Sequence, residues 1–348
     1  MGFLARLFGA GDGKESVPAD SLVQPMVERV LALYTRLRLA PGCEKQLARA
    51  MAPALVHIRS LVAGDPRTHE ANAAAWSDDH YMRAYFAAAS DIGPALARSR
   101  ALRTFFDEHP GADSAYAVMG MAMAERTSLG VALVGDQTRS DVRQTTLGFS
   151  DHHIRLCAAD EDSLREEVTR RMVEQIAIEG LAKVAQYTSL REDLEQERSL
   201  LAARLRLLER DGTGLKGVIS ADDGAADETD PGELARVRTQ AEENEQKLAA
   251  LGPRSEILTR QLGTMCESFE NAAELLQMSV VERRVDRMNI VVQDGVGDAS
   301  QSQVLRLHVA RVPGNPPQQR ALAILHVKRA DMPRGPEANL LDRAEQLL

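Results

Sequence analysis

The hydrophobic pattern of this chain changes period three times, and each change marks an element boundary. Between residues 20 and 110 the apolar positions fall at helical spacing. Val27, Val30, Leu31, Leu33, Tyr34, Leu37 and Leu39 form a broad stripe that stops at Pro41-Gly42. A second helix is expected from about Glu44 to Val62, closing at Gly64-Asp65-Pro66, and further helices over 69–90 and 94–108. Short connections between them predict a small helical bundle over 20–110, with Trp76 as a core anchor.

From 113 to 158 the helical period fades. Short apolar runs at Ala115–Ala124, Leu129–Val134 and Thr145–Leu156 are punctuated by Gly130, Gly135-Asp136 and Ser150-Asp151, which predicts three strands. Strand signals return after residue 284. Met288, Ile290 and Val292 alternate with polar residues, and Val304–Val312 and Ala321–Arg329 flank the turn-forming Pro313-Gly314-Asn315-Pro316-Pro317. On that pair Leu305, Leu307 and Val309 would share a face with Ala323, Leu325 and Val327, leaving Arg306, His308, His326 and Lys328 on the other. Two- or three-stranded pieces are marginal alone, so 113–158 and 284–330 are expected to join as one discontinuous β-rich domain.

The segment between them, 162–283, carries the clearest regularity. Leu234, Val237, Ala241, Asn244, Leu248, Leu251, Ser255, Leu258, Leu262, Met265, Phe269, Ala272 and Leu276 alternate in steps of three and four, and eleven of these thirteen are apolar. Gly252-Pro253 predicts a kink or a helix restart. The first arm is less regular: Val184, Tyr187, Leu194, Leu201, Leu205 and Leu208 share a stripe, with Arg191 and Arg198 between them. Both arms span close to 50 residues, or roughly 70 Å each. They flank a Gly-rich acidic stretch, 211–231, with no helical period. The reading is an inserted antiparallel coiled-coil hairpin with an acidic tip. The fold class is therefore α+β, predominantly helical: an N-terminal bundle, then a small mixed or antiparallel sheet domain interrupted by the hairpin. A short helix is expected in the 331–348 tail.

Composition refines this picture. The chain has 348 residues, 44% of them hydrophobic and 27% charged, which is the balance of a folded protein. Arginine outnumbers lysine 36 to 6, a usage pattern typical of a GC-rich bacterial genome. Three cysteines, Cys43, Cys157 and Cys266, lie far apart and form no metal-binding spacing, which fits a reducing compartment. No signal peptide or long apolar run is seen in the sequence, so a cytoplasmic location is expected. The net charge of −9 lies entirely between Glu161 and Val285, where 26 acidic residues face 17 basic ones. An acidic rod argues against nucleic-acid binding.

Candidate chemistry is sparse. On a helix Phe3, Leu4, Leu7 and Phe8 would fall within an arc of about 140°, so the start could touch a membrane surface weakly, giving a peripheral location at the inner membrane. Gly9–Ser16 lacks the first glycine and the preceding strand that a phosphate loop needs. Asp151, His152 and His153 are the only candidates for a general base or metal site, although adjacent histidines on a regular strand point to opposite faces. Asp78-Asp79-His80 would diverge on a helix. Arg306, His308, His326 and Lys328 could contact an anion. The acids Asp222, Asp223, Asp227, Glu228, Asp230 and Glu233 do not match a calcium loop. No cofactor and no metal are expected. These observations favour a non-enzymatic scaffold or adaptor that uses the coiled coil for protein contact or self-association. The alternative is a metal-assisted hydrolase with its site in the β-rich domain.

Overall fold

The computed structural model describes residues 19–64, 67–134, 137–210, 231–292, 302–312 and 318–333. The chain is α+β and predominantly helical, and it divides into two compact units. One comprises residues 1–52 and 176–270, the other 53–175 and 271–348. The boundaries fall inside two helices, between Ala52 and Pro53 and between Gln175 and Ile176, so the segment 20–110 is shared between the units.

The first unit holds α1 (Ala19–Leu33), the first half of α2 (Cys43–Ala63), most of the 50-residue α7 (Glu161–Arg210), α8 (Pro231–Ala250) and α9 (Ile257–Glu270). Polar contacts along α7 and α8 run in opposite senses. Near one end Arg204 pairs with Glu233 at 2.6 Å and Arg238 with Glu209 at 3.4 Å. Further along, Asn244 donates to Glu197 at 2.8 Å, and then Tyr187 and Arg191 reach the main chain at 251–252. The expected restart at Gly252-Pro253 is a full break. α8 ends at Ala250, Gly252 adopts φ +76°, and a short 3-10 turn at Arg254–Glu256 leads into α9. A glycine free of Cβ strain at that position is what a helix C-terminus with a left-handed residue requires. The side chain of Arg191 caps the break, its Nη1 donating to the Gly252 carbonyl at 2.8 Å, while the Tyr187 hydroxyl donates to the Leu251 carbonyl at 2.7 Å. Buried Gln261 accepts from the Tyr34 hydroxyl at 3.2 Å and donates to Thr188 at 3.4 Å, which ties the end of α1 to α7 and α9.

In the second unit a six-stranded sheet has the order β3-β2-β6-β5-β4 (Gln137–Ala158, Ser114–Val134, Gln318–Lys328, Gln303–Val312, Gln277–Val285). All these neighbours are antiparallel, and β1 (Thr68–Glu70) lies parallel beside β6 at Ile324–His326. Sequence periodicity predicted three strands in 113–158; there are two long ones in a single hairpin. Gly130, read as punctuation, is a paired residue within β2, facing Val142. The strand expected at 288–292 is also corrected. The real strand is Gln277–Val285, where the helical insertion was expected to continue, because Val280, Val281 and Val285 favour a pleated surface over a helix. Residues 286–292 instead form a turn with Asn289 at φ +60°, which bridges Thr146 of β3 and Val285 of β4. Its main chain bonds to both: the Leu147 amide donates to Asn289 O at 2.8 Å and the Val292 amide to Arg284 O at 2.9 Å. The two outer strands are thereby linked over that stretch and protected from edge pairing.

The core lies on one face of this sheet. It is lined by small and flexible residues of β2 and β6 (Ala115, Ala117, Met119, Met121, Ala321, Ala323) and by Leu305, Leu307 and Val309 of β5. Four short helices cover it: α3 (Ala73–Asp78), α4 (His80–Tyr85), α5 (Ile92–Arg98) and α6 (Arg100–Glu108). The alanine floor leaves room for Tyr85, Phe86, Phe105 and Phe106 from those helices. Trp76 is only half-buried and donates to the Phe86 carbonyl at 2.8 Å. The single helix expected at 69–90 is broken because Asn72 and Asp79 act as N-caps, accepting from the amides of Ala75 and Tyr81. Leu276, expected in the seam of the insertion, follows α10 (Ala272–Leu275), and its carbonyl contacts His57 Nε2 at 3.0 Å within this unit.

Candidate functional site

The sheet splits where β5 leaves β6. Their pairing runs from Val312↔Gln318 to His308↔Leu322, and beyond that point β1 takes the place beside β6. The gap opened between β1 and β5 is a cavity of about 680 Å3 lined by Arg67, His69, His80, Tyr81, Tyr85, Glu282, Val304, Arg306 and His308. The free Arg306 amide on the departing edge donates to the Tyr81 hydroxyl at 3.1 Å.

At its centre His69 is buried, with Nδ1 2.5 Å from Asp79 Oδ2. Burial raises the Asp79 carboxyl, but the hydrogen bond and charge of His69, with the Tyr81 amide, outweigh it and hold the group below its ordinary value. An ionised carboxylate can only accept, so Nδ1 of His69 carries the proton and Nε2 is the lone-pair nitrogen when the ring is neutral. This is the orientation in which an acid–base histidine is held. The His69 ring packs 4.9 Å from Tyr81 and 6.0 Å, edge-on, from Tyr85. Burial drives the Tyr85 phenol far upward, so it is present only as the neutral hydrogen-bonding group. Burial lowers both His80 and His308, keeping these imidazoles neutral near pH 7. Nδ1 of His308 is buried and has no hydrogen-bond partner among the described residues.

Most of this constellation was not singled out from the sequence. His69 sits on a three-residue strand with no periodic signal, and Asp79 was expected to diverge from its neighbours on a continuous helix. The cap spacing Asn72…Asp79 is the signal that could have found the break. Of the four anion-contact candidates, Arg306 and His308 line the cavity, with Arg306 paired to Glu282 at 2.8 Å. His326 and Lys328 instead meet Glu70 of β1 at 2.7 Å and 3.5 Å. Burial raises Glu70, but His326 and then Lys328 bring it below its usual value.

Asp151, His152 and His153 are divided by a β-bulge. Gly120 faces His153 and Ala122 faces Ser150, so Asp151 and His152 together oppose Met121, with Asp151 at φ +55°. His152 is turned toward the helices, where it stacks on Phe86 at 4.6 Å and donates from Nε2 to the Tyr85 carbonyl at 2.8 Å. Burial lowers its pKa. Asp151 bonds Arg320 at 2.5 Å and His153 at 2.6 Å, and the Arg320 hydrogen bond is the main reason its carboxyl lies below the usual range. The three residues therefore do not converge on one point. Among the described residues no group of three or more His, Cys, Asp or Glu side chains is arranged to hold a metal ion. Two of the three thiols are poor nucleophiles: burial pushes Cys157 up to about 12, and burial with Glu270 and Glu267 pushes Cys266 up to about 11.

The seam residues occupy two settings. Leu194, Leu201, Leu248, Leu262, Met265 and Phe269 are buried, and Leu205, Leu208, Leu234, Leu251 and Leu258 are half-buried. Outside that stripe Leu200 and Leu207 of α7 are 72% and 62% exposed, one heptad apart, with exposed Ala203 between them. Asn244 is fully buried on α8, and its side-chain oxygen has no partner among the described residues. Phe3, Leu4, Leu7 and Phe8, the acidic stretch 211–230 and the tail from 334 lie outside the described residues. Among the described residues no helix is long and apolar enough to cross a membrane.

No protein-family model, no curated protein and no solved structure matches this chain.

Proposed function

We propose that the protein is a non-enzymatic cytoplasmic scaffold or adaptor, in which α7 and α8 form an antiparallel coiled-coil hairpin for protein contact, in the first place with a second copy. The observation that carries this reading is the pair of stripes on α7. Leu194 and Leu201 are buried in the first unit, while Leu200, Ala203 and Leu207 lie in solvent at the i, i+3, i+7 spacing of a second seam. Buried Asn244 supports it, because a polar seam residue selects one register over its neighbours at some cost in stability. Light scattering on the intact chain tests the reading. An assembly that a Leu200→Glu/Leu207→Glu variant dissolves is the expected result. A monomer at every concentration, unaltered by the double substitution, would sink it.

A weak contact with a membrane surface through Phe3, Leu4, Leu7 and Phe8 belongs to the same proposal. Liposome flotation of the full chain against a variant lacking residues 1–12 checks it, and equal flotation would rule it out. The metal-assisted hydrolase has less support, since the bulge separates His152 from Asp151 and His153.

A further inference from the structure

The cavity between β1 and β5 carries chemistry that a scaffold does not use. The formal charges around it balance: Arg67 and Arg306 in the lining are basic, Glu282 is acidic, and Asp79 stands behind His69. Two of the four are already committed to each other, Arg306 to Glu282, and Asp79 is bound to His69. What is left over is three imidazoles in one pocket, beside two phenol groups, and one of those imidazoles has a buried nitrogen with no partner among the described residues. A buried polar atom without a partner is costly in a native fold and calls for an explanation.

We propose that this pocket is a proton-linked oxyanion site, which takes a small carboxylate or phosphate ligand using Arg67 and the imidazoles of His308 and His80. A negative charge entering a neutral, half-enclosed cavity is poorly compensated. It becomes stable when a neighbouring imidazole takes up a proton, because His⁺ donates from both nitrogens to the anion. Burial lowers both His80 and His308, so these imidazoles have a proton to gain when a negative charge is placed beside them. His69, with Nδ1 held by Asp79, offers Nε2 as a further contact or proton relay. Glu282 is paired with Arg306 and the Tyr81 hydroxyl with the Arg306 amide, so these groups shape the wall and add no second negative centre. A bound anion therefore carries a proton in with it.

The test is calorimetric titration of the intact chain with inorganic phosphate and, separately, with succinate, each in two buffers of different ionisation enthalpy. The expected result is saturable binding of one of them at a single site with close to one proton taken up per anion. Whichever anion binds identifies the source. Arg67→Ala and His308→Leu should each weaken binding by about tenfold or more, from loss of a charged donor, and His308→Leu should reduce the proton uptake. Arg67 is exposed, so its variant keeps the fold and carries the test should His308→Leu fail a circular-dichroism check. Saturable binding of neither anion, binding without proton uptake, or full affinity in Arg67→Ala would overturn the proposal.

Discussion

Replacing Arg191 by methionine isolates the capping of the α8 break. Arg191 stands in the apolar stripe of α7 and its side chain is 11% exposed, yet it serves a main-chain carbonyl. Its Nη1 bonds Gly252 O at 2.8 Å, and Nε bonds Glu195 at 3.1 Å. Methionine retains most of the aliphatic stem, so the packing loss is small. What disappears is a hydrogen bond from a charged donor, about 1.5–3 kcal/mol, and a cation at a helix C-terminus, about 0.3–1 kcal/mol. Relief of the desolvated guanidinium offsets part of that, leaving a net loss of about 2 kcal/mol. Arg198 is the natural control, since it interrupts the same stripe but is exposed, and Arg198→Met should change stability by less than about 0.5 kcal/mol. Urea unfolding followed by helical ellipticity compares the two variants. Because a chain of two units need not unfold in one step, amide exchange at Leu251 and Gly252 reads the local effect directly. Equal behaviour of Arg191→Met and Arg198→Met, in both measurements, would refute the argument.

Three other outcomes are expected. A Cβ at Gly180 would lie 2.7 Å from the sulfur of buried Met265, so Gly180→Ala should forfeit its usual helical gain of up to about 1 kcal/mol and lower the melting temperature; a rise would contradict the close contact. At Asp151, φ +55° makes a β-branched residue strained, so Asp151→Val should be less stable than Asp151→Gly by about 1–2 kcal/mol in denaturant titrations, the lost Arg320 contact cancelling between them. Asp79 has a depressed folded-state pKa, so its pairing stabilises above the unfolded value near pH 4 and is lost as pH falls through the lower folded value. The stability gap between the parent and Asp79→Asn should hold constant down to about pH 5 and narrow below about pH 4; a gap that widens in acid would mean the sign is wrong.

What could be read from the sequence were the features with a period. The three-four spacing on α8 and α9 and the alternation of Leu305, Leu307 and Val309 survive in any context, because burial of one face dictates them. The break at Gly252-Pro253 was equally visible, as those two residue types rarely continue a helix. Lengths and ends were harder. β2 and β3 run past residues that normally interrupt a strand, because each is held by a full-length partner and β2 also by β6. β4 was hidden by the three-four spacing running on as far as Leu276. The candidate pocket was the least legible. Its residues come from 67–85, 282 and 304–308, and they meet only because β5 parts from β6. Arg191 looked like a flaw in the seam, since the carbonyl it serves lies 61 positions away.

The strand order has a consequence for synthesis. β6 lies between β2 and β5 in the middle of the sheet, yet among the described strands it is the last to be made. While it is still being made, the β2–β3 ribbon has α3–α6 for its apolar face but must wait with the Ser114–Met121 backbone edge unsatisfied. During that interval the ribosome builds α7, α8, α9 and α10 and then β4 and β5, none of which pairs with the waiting edge of β2. Such a nascent chain would depend on holdase chaperones to a degree that its finished form would not betray.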